Sequence, residues 1–544
     1  MPDEAEIELR AAIERILRSS SRKKLVVAGP GTGKTTLFRQ LLESMVGERD
    51  ARLVLTFINN LKEDLEDSLS DLSKVFTLHG YCLSLLYRNS ELRSGLSCGF
   101  RCMPGLASLI RTDWTYLKGS EAPHFVEAMR SLTEGAEFEF YLRRGNYYDA
   151  VDFDDSVFRV HRQLTGSPEL IDGYELVLID EYQDFNALEA GLINVIAERN
   201  PIVIAGDDDQ ALYSQLRGSS WEFIRSLYRG EEFERFDLPF CMRCPEVIVG
   251  AVNDVIVKAR ERNNLQGRID KPYKHFAPAK GADSKRYPNI ALVRTSVQRE
   301  NANYFGRYIA QALAQIPPEE VAEAAVKGDP AVLIIASNPY RGQIVHYLEE
   351  AGYNVDTKRD THQGIERSTG LEILEEDPNS NLGWRIIIEF EKVSLAREVI
   401  RMAAERSTPL VEVIPDELRT RVLGETKSWE PSTPPRVPTP EGTVGAGHPS
   451  IKVASFEGAK GLSAQHVFIT GLHDGDLPRD AEHIKDLEIC RFLVGLTRTR
   501  KKCYLLYTQR FAEQFKNPSP FLSWINRERY EFIRVDANYW KATK

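Results

Sequence analysis

Lys34 and Thr35 close a glycine-rich run, Ala28-Gly29-Pro30-Gly31-Thr32-Gly33-Lys34-Thr35-Thr36. Glycines there let backbone N–H groups converge on an anion, and a lysine and hydroxyl at these offsets make a phosphate-binding loop. Lys34 is expected to reach the β- and γ-phosphates, and the Thr35 hydroxyl to bind Mg²⁺. Ala28 stands where glycine is usual, a small side chain that need not disturb the turn. A second group of polar residues follows the apolar run Leu176-Val177-Leu178-Ile179. There Asp180 would hold Mg²⁺ through its water shell, and Glu181 is placed to polarise the attacking water. A third is Gln210, after Gly206-Asp207-Asp208-Asp209. Its neutral amide suits either a γ-phosphate oxygen or the attacking water, so it would report the state of the nucleotide.

The elements that must carry these groups are strands ending in loops. Leu25–Val27 reads as a buried strand before the phosphate loop, and Leu37–Leu42 as the helix after it. Residues 4–20 form a first helix. Arg52–Phe57, Val75–Gly80, Leu176–Ile179 and Pro201–Gly206 read as further strands or strand ends of the same unit. Residues 88–165 lack alternating strands and read as a mostly helical insertion, either touching ligand or simply packing. Past Phe240-Cys241-Met242-Arg243-Cys244-Pro245 a second α/β unit begins, with strands at Ile290–Val293, Ala331–Ala336, Ile451–Ala454, Val467–Ile469 and Lys502–Leu506. It has no second phosphate loop. Residues 431–450, rich in Pro, Gly, Ser and Thr, read as an exposed linker. Two α/β units sharing one phosphate loop put a nucleotide at their interface, where Arg243 and Arg498 would approach the γ-phosphate from the opposite side.

A length of 544 residues implies several domains, and 42% apolar content suffices for real cores. The net charge of −10 makes a generally acidic surface, which does not exclude a local basic track for nucleic acid. No apolar run is long enough to span a membrane, the N-terminus does not read as a signal peptide, and seven cysteines suggest a reducing, cytoplasmic setting. Cys98/Cys102 and Cys241/Cys244 have unequal spacing and no nearby histidine, so buried free thiols are favoured over one four-thiolate site.

The ordered series AGPGTGKTT (28–36), TFINN (56–60), TLHGYCLSLL (77–86), LVLIDEYQD (176–184), GDDDQALYS (206–214), Arg243 in its short context, ASFEGAKGL (454–462) and VGLTRTRKK (494–502) resembles the UvrD/Rep type of superfamily 1 helicase. The resemblance implies two RecA-like α/β P-loop domains in tandem. The first would comprise residues 1–87 and 166–235 with a helical insertion at 88–165. The second would comprise 236–370 and 446–544, with a short insertion and linker at 371–445 in place of a much larger accessory domain. It further implies ATP and Mg²⁺ as ligands, and ATP-driven movement 3′ to 5′ along single-stranded or tailed duplex DNA. Residue by residue, it makes Lys34 and Thr35 phosphate and metal contacts, Asp180 the metal-water holder and Glu181 the general base. Gln210 becomes the γ-phosphate sensor, Arg243 and Arg498 the two arginine fingers, and Gln183 a coupling glutamine. Gly29, Gly31, Thr32, Gly33, Thr36, Tyr213 and Gly461 join the nucleotide site, and Thr56, Phe57, Asn59, Thr77 and His79 the strand contacts. Stacking on Phe57 would tolerate any base.

The sequence also departs from the type. The glutamine that usually precedes the phosphate loop is absent, the first in the chain being Gln40. Ser214-Gln215-Leu216 precedes Arg217 without the usual aromatic, so a stacking contact is missing or moved, with Trp221 a candidate. Glu457 replaces a histidine, and Ser463 a glutamate that normally touches nucleotide. A DNA-stimulated ATPase and 3′–5′ helicase is the main expectation, with DNA repair and genome defence both open. The alternative is a motor or sensor acting with a partner nuclease in antiviral defence, with little unwinding alone.

Overall fold

The computed structural model describes residues 3–542 except 134, 136, 214–216, 296–303, 358–363, 429–448 and 512–513. The first α/β unit is built on a six-stranded parallel sheet. Its strands lie in the order Lys74–Thr77, Arg52–Thr56, Leu176–Ile179, Ile202–Gly206, Lys23–Ala28, Glu234–Leu238. Parallel strands covered on both faces need apolar residues at every position, and Leu176–Ile179 and Ile202–Gly206 are buried throughout. The sheet thereby brings the C-terminal ends of Lys23–Ala28, Leu176–Ile179 and Ile202–Gly206 side by side. Loops at adjacent strand ends are where such sheets bind ligands.

The second unit carries a seven-stranded parallel sheet. Its order is Val355–Asp356, Ile451–Ala454, Val332–Ile335, Ala464–Ile469, Thr499–Thr508, Ile290–Thr295, Tyr530–Val535. Helix Asp486–Thr497 packs against helix Glu246–Glu261 and delivers Arg498 at its C-cap. Among the described residues no helix is long and apolar enough to cross a membrane. The expected first helix spans Glu4–Arg18, fixed by a capping box in which Asp3 accepts from Ala5 N–H and Glu6 returns to Asp3 N–H.

Among the described residues, 88–165 contain five helices and two short paired strands, Arg101–Cys102 and Ala150–Val151. Residues 367–428 contain helices Arg367–Glu376, Asn381–Glu389, Val393–Arg406 and Asp416–Ser428. The linker expected at 431–450 falls almost wholly outside the described residues. The two helical segments share one apolar core, in which Trp384, Ile386 and Ile387 pack with Ile110, Phe125 and Tyr141. An ion cluster lies inside it. The Asp113 carboxylate accepts from Arg385 Nε at 2.8 Å, from Arg144 Nε at 2.8 Å and from the Tyr148 hydroxyl at 2.5 Å. Asp113 and Arg385 are both fully buried. Removing one member of such a cluster strands a buried charge, so Arg385→Ala is expected to lower stability by about 3–5 kcal/mol. The midpoint of urea unfolding, followed by circular dichroism, measures this.

Candidate active site

The phosphate loop runs from the buried strand Lys23–Ala28 into helix Lys34–Glu43. Gly33 caps that helix at φ 90°, a left-handed conformation that favours glycine. Thr32 Oγ1 donates to the Gly29 carbonyl at 2.8 Å and holds the turn. Thr35 and Thr36 are exposed on the first turn of the helix. Lys34 does not point into open space: its Nζ lies 3.0 Å from Glu181 Oε1.

Glu181 follows strand Leu176–Ile179 by two residues and takes φ 53°, a strained conformation for a non-glycine residue. Gln183 Nε2 donates to Glu181 Oε2 at 2.6 Å, while Gln183 Oε1 accepts from Asp207 N–H at 2.9 Å. Gln183 thus ties the carboxylate to the end of the neighbouring strand. Burial alone would raise the Glu181 carboxyl, but the Lys34 and Lys460 ammonium groups outweigh it and hold it well below the usual range. Asp180 moves the other way, pushed up by burial and then by the charge of Glu181. Asp180 Oδ1 is buried without a protein partner. That orphaned oxygen, the glycine cradle and the adjacent Thr35 hydroxyl form a donor set that fits a nucleoside triphosphate with Mg²⁺.

The second unit lies directly across this loop. Met242 N–H donates to the Gly31 carbonyl at 2.8 Å, and the Tyr273 hydroxyl donates to the Pro30 carbonyl at 3.1 Å. A Cβ on Gly29 would meet Tyr273 Cδ2 at 2.8 Å, and one on Gly31 would strike Arg243 Cβ. Lys460 forms an ion pair with Asp184, donates to the Gln210 carbonyl at 2.5 Å and stands 3.5 Å from Glu181 Oε2. Arg498 Nη2 donates to Gln210 Oε1 at 3.1 Å. Burial and the neighbouring Arg243 charge push the Arg498 guanidinium down to about 10, so it remains a cation at neutral pH. Arg243 Nη1 donates to the Thr497 carbonyl at 3.5 Å, beside Arg498. The structure therefore brings Lys34, Asp180, Glu181, Gln210, Arg243 and Arg498 to one junction between the two sheets.

The residues expected to face a DNA strand are placed differently. Phe57 is only 3% exposed. The Arg217 guanidinium sits 4.6 Å over its ring, and Phe185 and Tyr213 pack at 5.7 and 5.2 Å. The stacking face is covered, because a cation and two aromatics satisfy it internally. Thr56 is fully buried and its hydroxyl lacks a protein partner. Thr77 accepts from Gly80 N–H at 3.1 Å as the cap of helix Leu78–Arg88. His79 Nε2 lies 3.1 Å from Arg217 Nη2, and burial and then the Arg217 charge push His79 down to about 3, so it is neutral across the physiological range. Asn59 opens helix Asn59–Leu69, but its side chain lies outside the described residues, as do Ser214, Gln215 and Leu216. Trp221 opens helix Trp221–Arg229, with Arg225 5.6 Å from its ring.

Comparison with known proteins bears on this junction. Residues 10–215, which span the phosphate loop, both carboxylates and Gln210, match the family described as "AAA domain". The chain is 24% identical over 281 residues to the ATP-dependent DNA helicase PcrA of Staphylococcus aureus (strain Mu50 / ATCC 700699), covering 44% of this chain and 38% of that protein. It is 23% identical over 331 residues to the PcrA of Staphylococcus epidermidis (strain ATCC 12228 / FDA PCI 1200), covering 53% of this chain and 43% of that one. Over these stretches the chain is similar to ATP-dependent DNA helicases. The matches span less than half the length of these relatives.

Two further expected contacts lie between the units. Gly461, expected at the nucleotide, sits at φ 83° against Leu61, its Cβ position 3.0 Å from Leu61 Cδ2. Its neighbour Lys460 is the residue that reaches the carboxylates. Tyr213, expected near the adenine and the domain interface, packs on Phe57 of the first unit and donates from its hydroxyl to the Glu457 carbonyl of the second at 3.1 Å. The substituted Glu457 accepts from Arg491 Nε at 2.7 Å, and Ser463 from Arg500 Nε at 3.0 Å. Sequence reasoning did not assign Met242, Lys271 or Tyr273 to the site. Met242 adjoins Arg243 in sequence, and nothing local marks Lys271 or Tyr273.

Proposed function

We propose that this chain hydrolyses ATP at the junction of its two sheets and uses the cycle to travel 3′ to 5′ along single-stranded DNA. The observation that carries the proposal is that Lys460 and Arg498, both from the second unit, contact Gln210 and the carboxylates of the first. Hydrolysis at such a junction changes how the two units fit together, which is what a motor needs.

The chemistry follows from the side chains. Glu181 accepts a proton from water as the water oxygen bonds to the γ-phosphorus and the bond to the ADP oxygen breaks. In the arrangement described, Lys34 and Lys460 neutralise Glu181 and so weaken it as a base. Transfer of Lys34 to the phosphates removes one of these partners and makes the carboxylate more basic. Gln183 keeps Glu181 aimed throughout. Arg498 and Arg243 neutralise charge that develops on the transferring phosphoryl group. Thr35 and Asp180 would hold Mg²⁺, which when bound would supply further neutralisation of phosphate charge. Met242 and Tyr273 lie against the phosphate loop, so the second unit must withdraw for the triphosphate to enter and return for hydrolysis. Arg217 must likewise swing off Phe57 before a base can stack there. Phe57 packs on Tyr213, whose hydroxyl bonds the Glu457 carbonyl of the second unit, so a base stacked on Phe57 would act on the same junction.

Steady-state ATP hydrolysis with and without single-stranded DNA tests the proposal. Stimulation by DNA is the expected result, and a rate indifferent to DNA contradicts it. A second reading is a motor acting with a partner nuclease in defence against phage, with weak unwinding alone. It is favoured by the small size of the helical segment 367–428 and its docking onto residues 106–148. Tailed duplexes separate the two readings: ATP turnover without strand separation, restored by a partner, supports the second.

A further inference from the structure

Three consecutive aspartates, Asp207, Asp208 and Asp209, follow strand Ile202–Gly206, and all three are buried. Their carboxylate oxygens converge closely enough to suggest a cation site. An ammonium already stands there. Lys271 Nζ lies 2.8 Å from Asp207 Oδ1, 2.7 Å from Asp208 Oδ1 and 2.8 Å from Asp209 Oδ2. Arg268 binds Asp209 with Nε at 2.8 Å and Nη2 at 2.8 Å, and Arg225 Nε reaches Asp208 at 2.9 Å. The cations balance the carboxylates, so the cluster needs no metal.

Its members come from both units. The aspartates and Arg225 belong to the first. Lys271 and Arg268 belong to the segment after helix Glu246–Glu261, which is tied to the second unit by Asn264 and Leu265 binding Asp486 and meets the first through the Gln266 carbonyl, which accepts from Arg225, and Ile269 N–H, which donates to Asp208. Asp207 does one thing more: its Oδ2 accepts from Gln210 Nε2 at 2.7 Å. A carboxylate can only accept, so the amide NH₂ must face Asp207 and the amide oxygen is left for Arg498. Both ends of Gln210 are therefore governed by the second unit, one directly through Arg498 and the other through Asp207 and Lys271.

We infer that Lys271 is a positioning residue for Gln210, fixing the rotamer and sense of its amide only while the two units are closed. The inference rests on the reading of Gln210 as the γ-phosphate sensor. A buried ion cluster adds little net stability over apolar packing, which leaves orientation as what this one supplies. When the second unit withdraws, Lys271 leaves Asp207, the carboxylate loses its fixed direction, and Gln210 is released with it. The sensor is thus armed by closure rather than held permanently in place.

Lys271→Gln removes the ammonium and keeps hydrogen-bonding capacity. The measurements are kcat and KM for ATP at saturating single-stranded DNA, affinities for ADP and ATPγS, and a thermal melt. Loss of one charge-assisted contact acting through Gln210 predicts a fall in kcat of about 10- to 100-fold with KM nearly unchanged. The preference for ATPγS over ADP should disappear, and Lys271→Arg should recover part of both. A folded Lys271→Gln with wild-type kcat and preference overturns the inference. So does a loss of kcat and of both nucleotide affinities in step with a lowered melting temperature, which marks a merely structural lysine. Should Lys271→Gln not fold, Asp207→Asn decides: it keeps an acceptor for Gln210 but loses the charge that Lys271 holds. The same split between kcat and KM is expected, and wild-type kinetics in Asp207→Asn overturns the inference. Failure of the sensor reading itself looks different, because the wild-type protein would then show no ATP hydrolysis or no preference for ATPγS.

Discussion

Glu181→Gln is expected to abolish ATP turnover while leaving ATP bound. The substitution keeps the size of the side chain and a hydrogen-bonding partner for Gln183 Nε2, which sits 2.6 Å from Glu181 Oε2. It removes the group proposed to take the proton from water. General-base catalysis is worth roughly 10²- to 10⁴-fold, and kcat should fall by that amount. Binding should be preserved or tightened, because Lys34 no longer has a carboxylate at 3.0 Å competing with the phosphates for its charge. Single-turnover hydrolysis beside equilibrium binding of a fluorescent ATP analogue separates the two effects. A glutamine variant that turns over at close to the wild-type rate would show that another group accepts the proton.

Arg498→Ala should be at least as severe. Arg498 is buried, its Nη2 is 3.1 Å from Gln210 Oε1, and it belongs to the unit opposite the phosphate loop. Arginines that enter a phosphoryl-transfer site from across an interface contribute about 10³- to 10⁵-fold to kcat. Lysine in its place should restore little, since a single ammonium cannot reproduce the planar fork. Nucleotide binding should change far less, because the phosphate loop and Lys34 lie entirely in the first unit. The diagnostic result is therefore a large loss of kcat, with and without DNA, and an ATP affinity within a few-fold of wild type. Equal losses in binding and turnover would instead assign Arg498 to ground-state binding.

What could be read from sequence was what is local in the chain. The phosphate loop, the Asp180-Glu181 pair and Gln210 each sit at the end of an apolar strand, so neighbouring residues announce both the element and its polar tip. Parallel pairing of the strands then places those tips side by side. The residues that complete the site were hidden because packing alone gathers them. Lys460 reaches the Gln210 carbonyl across a separation of 250 positions, and Lys271 is one cation among 70 lysines and arginines. The covering of Phe57 was equally invisible: an aromatic after a strand reads the same whether it faces a ligand or lies under Arg217. The docking of the two helical segments depends on Asp113 and Arg385, 272 positions apart, and no periodicity marks either.

ATP hydrolysis at the junction is expected to move the chain along DNA with a fixed direction. Displacement of streptavidin from single-stranded oligonucleotides, biotinylated at the 5′ or the 3′ end, tests this without requiring any duplex to be opened. ATP-dependent displacement from the 5′ end alone, absent in Glu181→Gln, is the predicted result. ATP turnover with displacement from neither end, or from the 3′ end instead, would contradict the account.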